Sequence, residues 1–227
     1  MKKKGLLVLV LAAIIAGGAF ALPGFRLSAG AGGLFTTDLI GGGGGYTSPI
    51  SSINTNTDMF IPKFAGGGFV FFDATYAELS LGFSGGNASF VTTVNEAVTN
   101  TASFPMSLFN IGLLLKFPFG GEKLQFFPLL GIDYALALSV KNENGDTAKN
   151  QNGDDISSDF SALWANLGFG MDYSFTENIY LRLDALLGVR MLSKYENDYK
   201  EAYKDIMYSI PDMSAGVTVK LAAGYRF

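Results

Sequence analysis

The sequence predicts an all-β protein, an eight-stranded antiparallel up-and-down transmembrane β-barrel. Three observations carry this. Apolar residues recur at every second position over long segments. Short and long connections alternate along the chain, with aromatic residues gathered at the short ones. The last strand alternates up to a terminal phenylalanine.

The last strand is the clearest element. From Met213 to Phe227 one parity reads Met213, Ala215, Val217, Val219, Leu221, Ala223, Tyr225, Phe227, and the other Ser214, Gly216, Thr218, Lys220, Ala222, Gly224, Arg226. One face suits lipid and the other polar company. From Ile179 to Met191 the same sorting places Arg182, Asp184 and Arg190 together, opposite a row of aliphatic residues. Further strands are expected at 24–36, 63–72, 76–84, 104–117, 124–140 and 161–175. Glu78, Lys116, Asp133 and Asp172 fall on their less apolar parities, and only 63–72 leaves its parity open. The sorting matters physically, because a Lys or Arg facing lipid at mid-bilayer costs roughly 2–4 kcal/mol, whereas a barrel interior can hydrate or pair it.

Short turns are expected at Asp73-Ala74-Thr75, Gly120-Gly121-Glu122-Lys123 and Thr176-Glu177-Asn178, and long loops near 37–62, 85–103, 141–160 and 192–212. The short turns are flanked by Phe71, Phe72 and Tyr76, by Phe117, Phe119, Phe126 and Phe127, and by Tyr173, Phe175 and Tyr180. With Phe25, Tyr225 and Phe227 these would form an interfacial girdle at the periplasmic end. Two extra strands within 37–62 or 85–103 stay compatible with the pattern. Closure requires the first strand, 24–36, to pair with the last, 213–227. A soluble lipocalin-like cup is the competing architecture, with its apolar parity turned inward.

The first 21 residues carry the parts of a secretory signal: Lys2 to Lys4, an apolar run from Leu6 to Ile15, and Ala19-Phe20-Ala21 before the expected cleavage. The barrel domain is then 22–227, in the bacterial outer membrane. Loss of three lysines takes the formal net charge from −4 to −7, which argues against a nucleic-acid partner. The chain has no cysteine, so disulfides, thiol nucleophiles and lipidated cysteine are excluded. It also has no histidine, which removes the commonest general base and points away from an enzyme.

Other motifs read as loops. Asp154 and Asp155 lie in the polar segment 142–159. Asn150, Asn152 and Asp154 resemble a calcium loop, but Asp155 stands where that pattern needs glycine. Gly41 to Gly45 lacks the Gly-Lys-Ser/Thr ending of a phosphate loop and is expected to be a flexible surface loop. Ser193-Lys194-Tyr195-Glu196 matches a capping box, followed by Tyr199, Tyr203 and Ile206, and predicts a short extracellular helix near 194–208. No cofactor or metal site is expected.

The informative set is the interior. Arg26, Glu78, Lys116, Asp133, Asp172, Arg182, Asp184, Arg190 and Lys220, with Arg226, are drawn from nearly every strand. An eight-stranded barrel is just wide enough for side chains to fill. These charges are therefore expected to pair across the lumen as a plug, with Glu78 meeting Arg182 or Lys116. The competing expectation is a conduit, since glycines such as Gly82, Gly112, Gly131, Gly168, Gly170 and Gly188 also point inward. Leu108, Leu114, Leu129 and Trp164 add apolar surface to the lumen, with Trp164 near the outer mouth.

The chain resembles the small OmpX/OmpW-like (OmpA-type) outer-membrane barrels in Leu113-Leu114-Leu115-Lys116-Phe117-Pro118-Phe119, in the Glu78 strand and in Tyr225-Arg226-Phe227. The resemblance implies that Tyr225 and Phe227 belong to a signal read by the barrel-assembly machinery. It also implies outer-membrane lipid as surroundings and an association with small hydrophobic molecules. Two functions follow as expectations: a narrow conduit for small molecules, or a non-conducting barrel, adhesin-like, that shows its loops to a surface partner. A monomer is expected.

Overall fold

A computed structural model of the chain describes residues 26–47, 54–95, 97–149, 153–193, 207–209 and 214–227. Among the described residues there are eleven strands: β1 (Ser28–Ile40), β2 (Gly42–Thr47), β3 (Asn54–Asp73), β4 (Ala77–Val94), β5 (Ala97–Lys116), β6 (Phe119–Gly120), β7 (Leu124–Val140), β8 (Ala162–Ser174), β9 (Ile179–Ser193), β10 (Met207–Ser209) and β11 (Ser214–Arg226). Eight of them, β1, β3, β4, β5, β7, β8, β9 and β11, close an up-and-down antiparallel barrel in which each pairs with its neighbours in the chain. Closure runs from Ser28↔Arg226 to Ile40↔Ala215, joining the first strand to the last. No backbone edge is left in the wall at this join, as a lipid-embedded sheet requires.

The wall sorts its side chains as a membrane barrel must. Phe35, Phe83, Leu130, Leu167, Leu187 and Leu221 are exposed on the outer face, while Glu78, Lys116, Arg182, Asp184, Arg190 and Lys220 are buried inside. A water-soluble cup would show the reverse. Strand β3, whose parity was open, turns Ala65, Phe69, Phe71 and Asp73 inward.

The strands on one side are much longer than a membrane needs. A tilted strand crosses in about 9–11 residues, but β3 and β5 have 20 residues each and β4 has 18. At ~3.3 Å per residue, the excess is roughly 25–30 Å of strand. The segments 37–62 and 85–103, expected to be loops, thus largely form strands that prolong β1, β3, β4 and β5. Their composition explains the mismatch. Thr and Val favour extended backbone, but outside the bilayer no apolar alternation is needed to mark it.

The glycine run, expected to be a loop, enters β2, where Gly42–Thr47 pairs with Asn54–Met59. Backbone pairing asks nothing of the missing side chains. The expected helix near 194–208 lies mostly outside the described residues; its end, Met207–Ser209, is β10 and pairs with Gly45 and Tyr46 of β2. The turn expected at Asp73-Ala74-Thr75 is shifted, since Asp73 is the last paired residue of β3, opposite Glu78.

Candidate functional site

The site is the barrel interior, and it is layered. At the short-turn end Arg182 of β9 reaches across the lumen to three strands at once. Its Nε and Nη2 donate to the two carboxylate oxygens of Asp172 on β8, both at 2.8 Å. Nη1 donates to Glu78 Oε2 on β4 at 2.5 Å, and Nη2 to Asp73 Oδ2 on β3 at 2.5 Å. Lys116 of β5 also donates to Asp73. Arg226 closes the circuit from β11, 3.6 Å from Asp172 and donating to Ser174 Oγ at 2.7 Å.

Three aromatic rings hold the guanidinium in place. The Phe71, Phe127 and Tyr180 centroids lie 4.7, 5.2 and 5.2 Å from its central carbon. Each contact of this kind contributes about 0.5–2 kcal/mol, more when desolvated. These three residues were expected in the lipid girdle, and the structure corrects that: all three are fully buried in the lumen. Their neighbours Phe72, Phe117, Phe119, Phe175, Tyr225 and Phe227 do face outward. Arg182 is only 1% exposed and Glu78 is 0%. These side chains occupy the lumen at this level and are withdrawn from solvent.

Charge balance supports so much buried charge. The floor holds three acids, Asp73, Glu78 and Asp172, against three bases, Lys116, Arg182 and Arg226. A buried charge is tolerated when paired and hydrogen-bonded, as here.

Above the floor the packing loosens. Lys220 lies 3.9 Å from Asp133, donates to Ser80 Oγ at 3.3 Å, and sits 5.6 Å from the Phe69 ring centre. Asn166 donates to Asp133 and Asn110 to Ser84. Asp184 is fully buried, and neither carboxylate oxygen has a hydrogen-bond partner among the described residues. Glycine makes room for both acids. A Cβ at Gly112 would stand 2.1 Å from Asp133 Oδ1, and one at Gly170 would stand 2.3 Å from Asp184 Oδ1. A cavity of about 50 Å³ lies at this level, bordered by Leu34, Thr36, Pro62, Asp133, Trp164 and Lys220 among others. A water needs roughly 10–15 Å³ to enter and takes up about 30 Å³ in the liquid, so there is space for one or two.

Higher still, Ile61, Ala65, Met106, Leu108, Val140 and Phe160 pack as an apolar cluster below the long hairpins. Beside it the wall between β1 and β3 is not laced by backbone pairing, which stops at Thr36↔Ala65 and resumes only at Gly42↔Met59. Side chains stitch the gap. Asp38 Oδ2 accepts from Ile61 N at 2.7 Å, and Arg190 Nη1 donates to Ile61 O at 3.0 Å and lies 3.3 Å from Asp38.

Of the residues singled out in the sequence, Glu78, Lys116, Asp172 and Arg182 are brought together, Asp133 and Lys220 form a second group, and Arg190 stands apart under Trp164 at 5.6 Å. Glu78 meets Arg182, whereas Lys116 goes to Asp73. Arg26 is not interior: it is exposed at the short-turn end, with its backbone N–H donating to Thr75. It precedes β1, so no strand directs its side chain inward. Asp73 and Asp38 were missed, one read as a turn residue and the other as loop.

No protein-family model matches the chain, and no curated protein matches it either. Among solved structures, it is similar to the outer membrane protein OprG of Pseudomonas aeruginosa, at 12% identity and a TM-score of 0.49, over 89% of this chain and 95% of that one. It is also similar to the N-terminal β-barrel domain of OprF from Pseudomonas aeruginosa, at 14% identity and a TM-score of 0.37, over 88% and 97%. A third similar structure is Ail, the attachment invasion locus protein of Yersinia pestis, solved with the heparin analogue sucrose octasulfate, at 15% identity and a TM-score of 0.34, over 89% and 97%.

Proposed function

We propose that this chain is an exported outer-membrane barrel that does not conduct ions and serves as a rigid anchor for the strands it projects beyond the bilayer. Residues 1–21 act as the export signal, and Tyr225 and Phe227 belong to the segment read by the assembly machinery. The observation that carries the reading is Arg182, fully buried and tied to Asp73, Glu78 and Asp172 on three other strands. An ion crossing this layer would have to break several charge-assisted bonds in a low-dielectric setting, each worth about 1.5–3 kcal/mol. The anchor reading also accounts for the length of β3, β4 and β5, which a simple pore does not require.

Planar-bilayer recording on refolded protein tests this. The native chain is expected to be electrically silent, and R182A to give conducting events. Reproducible conductance of the native chain would remove the reading.

One observation favours a second reading, passage of small apolar molecules between the lumen and the lipid. The cavity is bordered by Leu34, Thr36, Pro62 and Ala65, at the point where β1 and β3 stop pairing. Trp164, the chain's one tryptophan, borders the same cavity. Saturable quenching of its fluorescence by bromobenzene is expected under this reading, and absence of quenching would dismiss it.

A further inference from the structure

The floor of the lumen balances its charges, three acids against three bases, and Asp38 at the β1–β3 gap faces Arg190. The layer between them does not balance. Among the described residues it sets Asp133 and Asp184 against Lys220. Lys220 is the register partner of Asp184 on the neighbouring strand, yet its ammonium lies 3.9 Å from Asp133 and donates to Ser80. Whichever acid it serves, one carboxylate is left over.

That carboxylate is Asp184. Both its oxygens are buried without a hydrogen-bond partner among the described residues, and so is Oε1 of Glu78, its strongest charged neighbour. A buried carboxylate is costly unless a cation or hydrogen bonds compensate it. One proton would answer for the charge but could bridge only two of these three oxygens, whereas a hard cation gathers several oxygen ligands at once. The surroundings suit a small ion. Gly170 lets Asp184 lie against backbone, since a Cβ there would stand 2.3 Å from Asp184 Oδ1. The adjoining cavity of about 50 Å³, bordered by Lys220, Asp133, Ser80 and Ser84, has room for one or two waters.

We propose that Asp184 and Glu78 Oε1 hold one monovalent metal cation, sodium or potassium, in the middle of the lumen. Two observations set the charge of the ion. The surplus in this layer is a single negative charge, so one monovalent cation brings it to zero and a divalent one would overshoot. No three acids converge among the described residues, as a divalent site would need. Soft metals are disfavoured by the donors, which are all oxygen in a chain without histidine or cysteine. The ion sits above the Arg182 floor and is enclosed as the barrel closes, so it is a structural ion whose presence does not depend on whether the lumen conducts.

The test refolds the full chain into phosphatidylcholine vesicles in sodium, potassium or choline chloride of equal ionic strength and compares urea unfolding. Choline is too large for the site. The unfolding equilibrium constant is expected to be at least tenfold smaller in sodium or potassium chloride than in choline chloride, the change produced by a ligand at about ten times its dissociation constant. D184N and D133N each leave one acid against one base, so for both variants the three salts should give equal constants. E177Q, at an exposed acid in a short turn, should keep the native difference. Equal constants for the native chain in all three salts, as a bound proton in place of a metal requires, would overturn the proposal. So would a native-sized difference in D184N and D133N. The two variants lie on different strands, β9 and β7, so the charge balance stays testable if one of them fails to fold.

Discussion

Truncating Arg182 to alanine removes the cation from the middle of three carboxylates. The structure gives it four hydrogen bonds, two to Asp172 and one each to Glu78 and Asp73. Breaking a buried pair by removing one partner costs about 3–5 kcal/mol, mostly because the remaining charge is left unpaired. The three ring contacts add to this, since Phe71, Phe127 and Tyr180 would line a void. A destabilisation of about 5 kcal/mol is expected, which at a typical denaturant slope moves the urea midpoint by roughly 2 M. The assay is reversible urea unfolding in lipid vesicles, followed by tryptophan fluorescence and gel mobility. R26A is the matched control: an arginine at the same end but exposed, it should change stability by less than about 0.5 kcal/mol. Neutralising Glu78 as well, as E78Q with R182M, keeps two acids against two bases in the floor and should recover part of the loss. If R182A were as stable as R26A, the clamp described here would not exist.

Three further outcomes follow from the same geometry. G170A would bring a Cβ to 2.1 Å from the Phe127 ring and 2.3 Å from Asp184, so urea unfolding should show a loss of about 1–3 kcal/mol. R190M would leave Ile61 O without its 3.0 Å donor at the β1–β3 gap, and hydrogen exchange at Ile61 should quicken at least tenfold while β8 amides stay protected. The exposed carboxyl of Asp155 is held below the ordinary aspartate value of 3.8 by hydrogen bonds from the Ser157 hydroxyl and N–H. Because its folded pKa is depressed, its contribution is present above that ordinary value and lost as pH falls through the lower, folded one. An NMR titration should find the Asp155 midpoint below 3.8, and S157A should raise it.

Much of the barrel is legible in the sequence because lipid imposes a strict rule on the wall. β9 and β11 alternate without a break, so Arg182, Asp184, Arg190 and Lys220 could be placed inside from parity alone. The rule fails where lipid ends. Thr36 and Thr37 interrupt the apolar row of β1, and with it goes the clue that Asp38, on the same parity as Leu34, is also interior. In β3, Phe69 and Phe71 point in while Val70 and Phe72 point out, so four apolar residues in a row leave no parity to read. Asp73 then looks like a turn former, although its place opposite Glu78 in the hairpin would have put both acids on one face. The inward rings of Phe71, Phe127 and Tyr180 were hidden for a related reason: an aromatic next to a short turn serves a lipid interface and a cation clamp equally well.

A floor closed by Arg182 and its partners keeps water on the short-turn side from the lumen above. Ser80, buried above that floor, can be made the chain's single thiol as S80C and exposed to a membrane-impermeant maleimide on the short-turn side only. S80C is expected to stay unlabelled, an R26C control on the same side to label promptly, and S80C to label once R182A is added. Labelling of S80C at the R26C rate with Arg182 in place would contradict it.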